Sequence, residues 1–489
     1  MGLFGRLVAY ITGTSDLAPD EVQDWLDDAA DMGDARLDLY LTFDRYYDGD
    51  YKVKLRDRTR RFLDEAKVGF KENFSDVVVD VLAERLKVVG FSASNAEEDE
   101  TTGEIKDPIG GLLEEWWQAC RWDGLQGTAH VEALKLGDGA LAVDWNEEKG
   151  KPEICFNHPR GLKFVYEDDY PDRLAWVSKL WNTSKVGPAN PDGRRIQRLN
   201  IYWPDKIEKW FRIHSGTGDA RGGWAQWRDE GDEAWPVDWT DDASEPLGIP
   251  IFHFKYRAQS RTWGRSRLKD VLPFQDELNK IAVDLNELID AYPYPQRWAS
   301  GVSGDVEFKA APGNVWKATG ENTKFGEFAP ADTAYLLNAI EGVLSRLARK
   351  TRIPMHLLTG GENPSGEALK SAESGLVAQA ETCQVEFGNA WEGAMMMALK
   401  LAVENEAEVP ALPDDLTIDV QWDTVETRAD KEDLEAAILK KQIGVSQYTL
   451  LREQGYDPEK ESERRGGEQE EAAKAYSQAL DAGQGFDGP

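Results

Sequence analysis

The residue types that do covalent or metal chemistry are sparse and irregularly placed. Five histidines, His130, His158, His214, His253 and His356, fall at no metal-ligand spacing. There is no H-E-x-x-H and no C-x-x-C, the patterns that bring ligands to one zinc ion. No G-x-x-x-x-G-K-[ST] is present to cradle a nucleotide's phosphates, and no G-x-S-x-G to present a nucleophile. Gly137-Asp-Gly139 reads as a plain turn, because two glycines alone make no phosphate loop. Cys120, Cys155 and Cys383 lie far apart, which suits a reducing compartment and no disulfide framework. Close carboxylates abound, but in so acidic a chain they mark solvated faces more often than a catalytic pair. Eighteen tryptophans could line a sugar groove; cores and subunit interfaces are the favoured reading. No catalytic residue, metal or cofactor is assigned.

The chain has 489 residues, enough for two to four structural units. Lys plus Arg number 57 against 90 Asp plus Glu, for a net charge of −33. A protein that wraps nucleic acid by neutralising phosphates is basic, so broad DNA binding is excluded; contact with DNA that must not stick is not. Met1–Thr14 lacks the charged start and cleavage site of a secretory leader. Ala394–Val403, the most apolar stretch, is too short to cross a bilayer. A soluble protein made inside a cell is expected.

Hydrophobic spacing predicts helices over about 20–32, 37–47, 73–89, 108–121 and 124–136, with Ser15 or Asp16 capping the first and Gly90 closing the third. Residues 92–106 read as an acidic surface loop. From Gly139 to Tyr256 the period changes to β-branched and aromatic segments punctuated by turns. Two apolar-striped helices, about 270–290 and 332–350, flank a glycine-rich β-unit over 292–330. Such a pair is too thin to bury both stripes, so further helices must cover them. A loop, Pro354–Gly366, precedes a very long helix reaching about Glu406, which Gly375, Gly388 and Gly393 are expected to bend. A strand over Leu416–Trp422, helices over Asp430–Gln442 and Ser446–Gln454, and a partly disordered tail complete the chain. The fold class is α+β.

Several pieces, in order, resemble the portal proteins (head-to-tail connectors) of tailed double-stranded DNA bacteriophages. They are Tyr46-Tyr-Asp-Gly-Asp50, the helix from Asn73 to Leu86 with Gly90-Phe91, Trp263-Gly-Arg-Ser-Arg-Leu268 leading to Leu272–Lys280, Ile353-Pro354, Asn363-Pro-Ser-Gly-Glu-Ala-Leu369 and Val445–Gly455. The resemblance spans about Leu37 to Pro458 and rests on arrangement rather than on any catalytic signature.

The resemblance implies a ring, usually of about twelve subunits, closed by heterologous contacts. It implies a wing (1–265 and 367–422), stem helices (266–291 and 331–351), a clip (292–330), a tunnel loop (352–366) and a crown and tail (423–489). Double-stranded DNA would pass the channel without sequence specificity. The partners implied are the terminase large subunit, head-completion or adaptor proteins, and the major capsid and scaffolding proteins. The location implied is the portal vertex of the virion, after synthesis in the host bacterial cytoplasm. An acidic conduit lets a polyanion pass without trapping it.

Candidate channel residues are the basic cluster Arg346, Arg349, Lys350 and Arg352, then Met355, His356, Leu357, Leu358, Thr359, Glu362 and Asn363 in the loop. The cations equally suit the C-terminal end of a helix dipole. Candidate docking residues of the clip are Arg297, Trp298, Lys309, Trp316 and Lys317, although its aromatics also suit a small core. Two other readings stand beside this one: another virion head or adaptor protein, and a glycan-binding or glycan-hydrolysing protein.

Overall fold

The computed structural model describes residues 19–53, 72–94, 97–98, 105–184, 190, 192–213, 222–229, 235–258, 262–291, 297–302, 316–317, 322–327, 333–360, 366–413, 415–425, 437–442, 444–445 and 449–451. The expected cap at Ser15 or Asp16 and the tail beyond 451 lie outside them. Helices α1 (Pro19–Ala30), α2 (Asp34–Tyr47) and α3 (Ser75–Ala83) lead to strand β1 (Val88–Ala93). Helices α4 (Pro108–Ala119) and α5 (Trp122–Leu136) follow. Pro108 sits in the first turn of α4, and the Asp107 carboxylate caps it by accepting from the Gly110 amide at 2.6 Å.

The β-rich region contains β2 (Asp138–Asn146), β3 (Lys151–Asn157), β4 (Leu162–Tyr166), β5 (Leu174–Thr183), β6 (Ile196–Tyr202), β7 (Lys206–Ile213) and β8 (Ile251–Lys255). Strands β8-β2-β3 form one antiparallel sheet. Strands β4-β5-β6-β7 form an antiparallel meander, extended by two short strands that pair with β7. Beyond it come α6 (Leu272–Ala291), the hairpin β9 (Arg297–Ser300) and β10 (Lys324–Glu327), α7 (Ala334–Thr351), α8 (Met355–Thr359), α9 (Gly366–Glu404) and β11 (Ile418–Trp422). No helix among the described residues is long and apolar enough to cross a membrane.

Two expectations are corrected. The third helix stops at Ala83, and Gly90 lies inside β1 instead of closing a helix. Val88 and Phe91 pair with Trp422 and Val420 of β11, with a bulge between Val88 and Gly90. The β-branched pair Val88-Val89 favours the ladder. The Gln126 side chain serves the other edge of Val88, accepting from its amide at 2.7 Å and donating to its carbonyl at 3.2 Å. Part of the expected acidic loop is likewise paired, Glu97–Glu98 against Ile105–Lys106.

The main core lies where α9 crosses the β8-β2-β3 sheet and meets α4 and α5. Helix α9 is unbroken through its glycines, and the bareness of Gly393 admits a neighbour: a Cβ there would stand 2.6 Å from the Phe252 ring. Trp391 packs edge-on against Trp117 and Trp122 at 4.9 and 4.8 Å. Ten of the eighteen tryptophans are buried, which places them in cores rather than along a groove. A second core joins α1 to the meander, with Trp25 stacked at 6.3 Å on Trp203.

Glu208 is sealed into that second core. It is 0% exposed and accepts from the Trp210 indole at 3.3 Å. Burial pushes its carboxyl up to about 7, and the Lys206 ammonium 3.9 Å away only partly opposes this. The folded chain therefore holds this proton more tightly than the unfolded chain. Stability falls as pH rises from about 4.5 to 7 through this group. Glu208→Gln is expected to raise the unfolding free energy by up to about 3 kcal/mol at pH 8 and by little at pH 4. Urea unfolding at the two pH values checks this; an equal effect at both would refute it.

Candidate functional site

The two apolar-striped helices form an antiparallel pair, α6 against α7. Leu278, Val343 and Leu344 are its buried seam, with Phe274, Ile281 and Ile340 beside them. At one end the pair joins the main core. There the expected Gly137-Asp-Gly139 turn is instead the end of α5 at Gly137 running directly into β2, and it crosses the Trp263–Leu268 segment backbone to backbone. A Cβ on Gly264 would stand 1.7 Å from the Gly137 carbonyl, and one on Gly137 (φ +89°) 2.5 Å from the Ser266 amide. Only glycine permits that approach. Ser266 Oγ donates to the Lys135 carbonyl at 2.5 Å and accepts from the Leu268 amide at 3.0 Å, starting the short 3₁₀ turn Arg267–Asp270 ahead of α6. Arg267 is buried, and its guanidinium donates to the Val78 carbonyl, Tyr256 Oη and Gln379 Oε1 at 2.6, 3.1 and 2.7 Å.

The basic cluster closes this end of α7. Arg346, Arg349, Lys350 and Arg352 are all exposed. Two of them are paired with acids of the opposing helix and its leading turn. Arg346 donates to Glu277 at 2.7 Å, with its guanidinium 5.8 Å from the Phe274 ring. Lys350 lies 3.5 Å from Asp270, which Arg265 already holds with two 2.7 Å hydrogen bonds. Arg265 and Lys350 together hold the Asp270 carboxyl below its ordinary value although burial opposes them. Arg349 donates to the Ser345 carbonyl at 3.3 Å; neither it nor Arg352 has a carboxylate partner among the described residues. Arg352 takes the left-handed conformation (φ +59°) that ends α7.

The following segment is not all loop. Pro354 starts and Gly360 ends the five-residue helix α8. It forms because Leu358 is buried, and Met355 and Leu357 rest half-buried on the main core. His356 Nε2 lies 3.6 Å from the Glu373 carboxylate, which Arg85 holds at 3.0 Å, so this side chain faces α9. Thr359 is exposed and donates back to the Met355 carbonyl at 3.0 Å. Glu362 and Asn363 lie outside the described residues. Asp270, Glu277 and Arg267 were missed by sequence reasoning. The available signal was the seven-residue spacing of the two acids, although Asp270 lies in the 3₁₀ turn ahead of α6 and only Glu277 in the helix itself.

Residues 27–475 match the family described as "Phage portal protein, SPP1 Gp6-like". That range covers nearly the whole chain. The chain belongs to the phage portal protein family. The portal protein of Mycobacterium phage L5 is 25% identical over 422 residues, covering 81% of this chain and 78% of that protein. That of Mycobacterium phage D29 is 26% identical over 420 residues, with the same coverage. A solved chain from the virion of a native gene transfer agent particle aligns with 83% of this one at 14% identity and a TM-score of 0.41, a likeness that supports nothing further. As a portal-family chain it is a subunit of the structural channel for DNA packaging, in a ring at the capsid vertex of the virion.

Within this portal subunit the hairpin β9–β10 stands at the far end of the helix pair. Arg297 pairs with Glu327 at 3.0 Å. Trp298 lies over Gly326, whose Cβ would stand 2.5 Å from its ring. The same ring is 38% exposed and Phe325 on the partner strand 45%, so the hairpin presents aromatic surface while covering its own glycine. Trp316 is half-buried and Lys317 exposed; Lys309 lies outside the described residues.

Two side-chain clusters elsewhere in the portal subunit have the composition of active sites. Ligand atoms of Asp44, Glu132 and His158 lie within 4.8 Å of one another. The Lys135 ammonium already stands 2.9 Å from Asp44 and 2.7 Å from Glu132, and Arg160 also pairs with Asp44, so cations of the chain neutralise both carboxylates. In the other, Tyr166 Oη meets His253 Nδ1 at 2.8 Å, and His253 Nε2 meets Asp138 at 3.0 Å. Asp138 is fully buried and also accepts from Tyr40 at 2.7 Å, the Gly264 amide at 2.7 Å and Arg36. This closed network pins the joint described above.

Proposed function

We propose that about twelve copies of this chain close the ring and that α6 and α7 are its stem, with 292–330 as clip, 352–366 as tunnel segment, 1–265 and 367–422 as wing and 423–489 as crown and tail. One observation carries this reading. The stem pair leaves Ile289, Tyr335 and Leu337 about half exposed at its clip end, 52%, 60% and 49%. An apolar surface at the thin end of a two-helix rod needs a neighbouring rod. The subunit hydrolyses no nucleotide, which the missing phosphate loop supports. The clip, through Arg297, Trp298, Lys309, Trp316 and Lys317, docks the terminase large subunit and later the head-completion proteins; capsid and scaffolding proteins meet the ring from outside. Synthesis is in the host cytoplasm.

Of the four candidate cations, Arg349 and Arg352 are the DNA contacts, because Arg346 and Lys350 are already neutralised. Among the described loop candidates, Thr359 is the exposed one. Class-averaged electron microscopy of the purified protein tests the reading: annular particles with a central hole are expected, and a folded monomer or two-fold dimer at high concentration would overturn it. Rings carrying Arg349→Gln and Arg352→Gln are expected to keep their shape and to package DNA several-fold more slowly when supplied to a phage lacking its own portal protein, since each lost phosphate contact weakens binding uniformly across sequences. Unchanged packaging would remove these two side chains from the channel wall.

A further inference from the structure

The α6–α7 pair carries charges and a bare patch of backbone that its own subunit does not use. Lys280 and Asp284 stand one turn apart, both exposed, on the side of α6 away from the buried Leu278. Asn338, Glu341, Gly342 and Ser345 are all exposed on one face of α7, at spacings of three and four. Neither Lys280 nor Glu341 has an ion-pair partner among the described residues, although Arg346 and Glu277 close by are paired at 2.7 Å. Gly342 lies in the middle of α7, with nothing within 4 Å of the Cβ it lacks. A helical glycine costs about 1 kcal/mol relative to alanine. At Gly264 and Gly393 a neighbour in the same subunit accounts for the bare backbone; at Gly342 none among the described residues does.

The heights of these groups match. The Arg346–Glu277 pair sets those two positions level on the antiparallel helices. Lys280 lies three residues further along α6, within about 3 Å of the height of Glu341, and Asp284 is level with Asn338 to about one residue. Rotation about a ring axis leaves height unchanged, so for rods running along that axis each α6 residue meets the α7 residues of the next copy that are level with it. We propose that adjacent copies join stem to stem, head to tail: α6 of one copy lies against the Gly342 face of α7 in the next, and Lys280 of the first pairs with Glu341 of the second. The separation of two helices follows the side chains at their contact, so the bare Gly342 lets the α6 backbone come close while the ion pair sets the register. This contact rests on the ring and stem reading above and adds to it which faces meet.

Charge reversal in the full-length protein tests it, with rings counted by electron microscopy across a concentration series. Lys280→Glu sets two acids against each other at every contact and Glu341→Lys two cations, so each variant alone is expected to need about tenfold more protein for half assembly. The two change net charge in opposite directions, so a shared loss has no source in net charge. Mixed in equal amounts they restore an opposite pair at every contact. Rings containing both variants one to one, read by native mass spectrometry, are expected at near wild-type concentration. Gly342→Leu should keep at least the wild-type urea midpoint, because the site is exposed and leucine favours helix, yet form no closed ring. Single variants that assemble like wild type, a mixture no better than its parts, or Gly342→Leu rings at wild-type concentration would each overturn the contact and leave the ring reading standing. Wild-type protein that forms no ring overturns both.

Discussion

Gly264→Ala is expected to be the most damaging single-methyl change in the described structure. The added Cβ would lie 1.7 Å from the Gly137 carbonyl oxygen and 3.0 Å from the Tyr256 amide. Neither can step aside cheaply. The Gly137 carbonyl accepts from the Tyr256 amide at 2.9 Å, and the Gly264 amide donates to the buried Asp138 at 2.7 Å. Separating the two strands of this crossing would also loosen Ser266 and Arg267, which start the stem. A clash with paired, buried backbone belongs to the rare class that costs about 4 kcal/mol or more. The thermal midpoint should fall by on the order of 10 °C, or rings should fail to form. Gly111→Ala is the matched control: it sits on the exposed side of α4 with nothing within 4 Å and should be neutral or stabilising by about 0.5–1 kcal/mol. If Gly264→Ala melts with the wild type, the crossing is not the rigid joint described.

The second large effect is acid lability. His130 is fully buried, Nδ1–H donating to the Leu86 carbonyl at 2.9 Å and Nε2 accepting from the Trp391 indole at 3.1 Å. Both ring nitrogens are engaged as a neutral imidazole. Burial lowers its pKa to about 4, the Leu86 carbonyl opposing only weakly. The unfolded chain takes up this proton near 6.5, before the folded chain does. Stability from this group is therefore complete above about 6.5 and lost as pH falls toward 4, amounting to about 3 kcal/mol. His253, held down first by burial and then by Lys255 and Arg36, acts in the same direction. His130→Gln keeps one donor and one acceptor without titrating. It should be less stable than wild type at pH 7, because it loses the ring stacked at 5.6 Å on Phe387, and the gap should narrow markedly by pH 4.5. Urea midpoints at the two pH values measure this; a gap independent of pH would show that His130 is not neutral in the fold. Glu208 shifts stability oppositely, so the two variants separate what a single pH profile would blur.

Most of the elements and their order are legible in the sequence. The stripes over α6 and α7, the aromatic strands from 139 to 256 and the long α9 are written as local periods, and a period needs only neighbours a few residues away. The family was legible for the same reason, since its motifs are short and ordered. The tertiary structure alone decided how those motifs are used. Gly90 reads as a helix stop, and only pairing with β11, over three hundred residues later, makes it part of a strand. Trp263–Leu268 reads as a prelude to a helix; its glycine and Arg267 gain their meaning from Gly137 and Gln379, which no spacing rule connects to them. Arg346, Arg349, Lys350 and Arg352 look alike in sequence. Coulomb pairing across the stem separates them, because an acid neutralises only the cation that folding brings within a few ångströms.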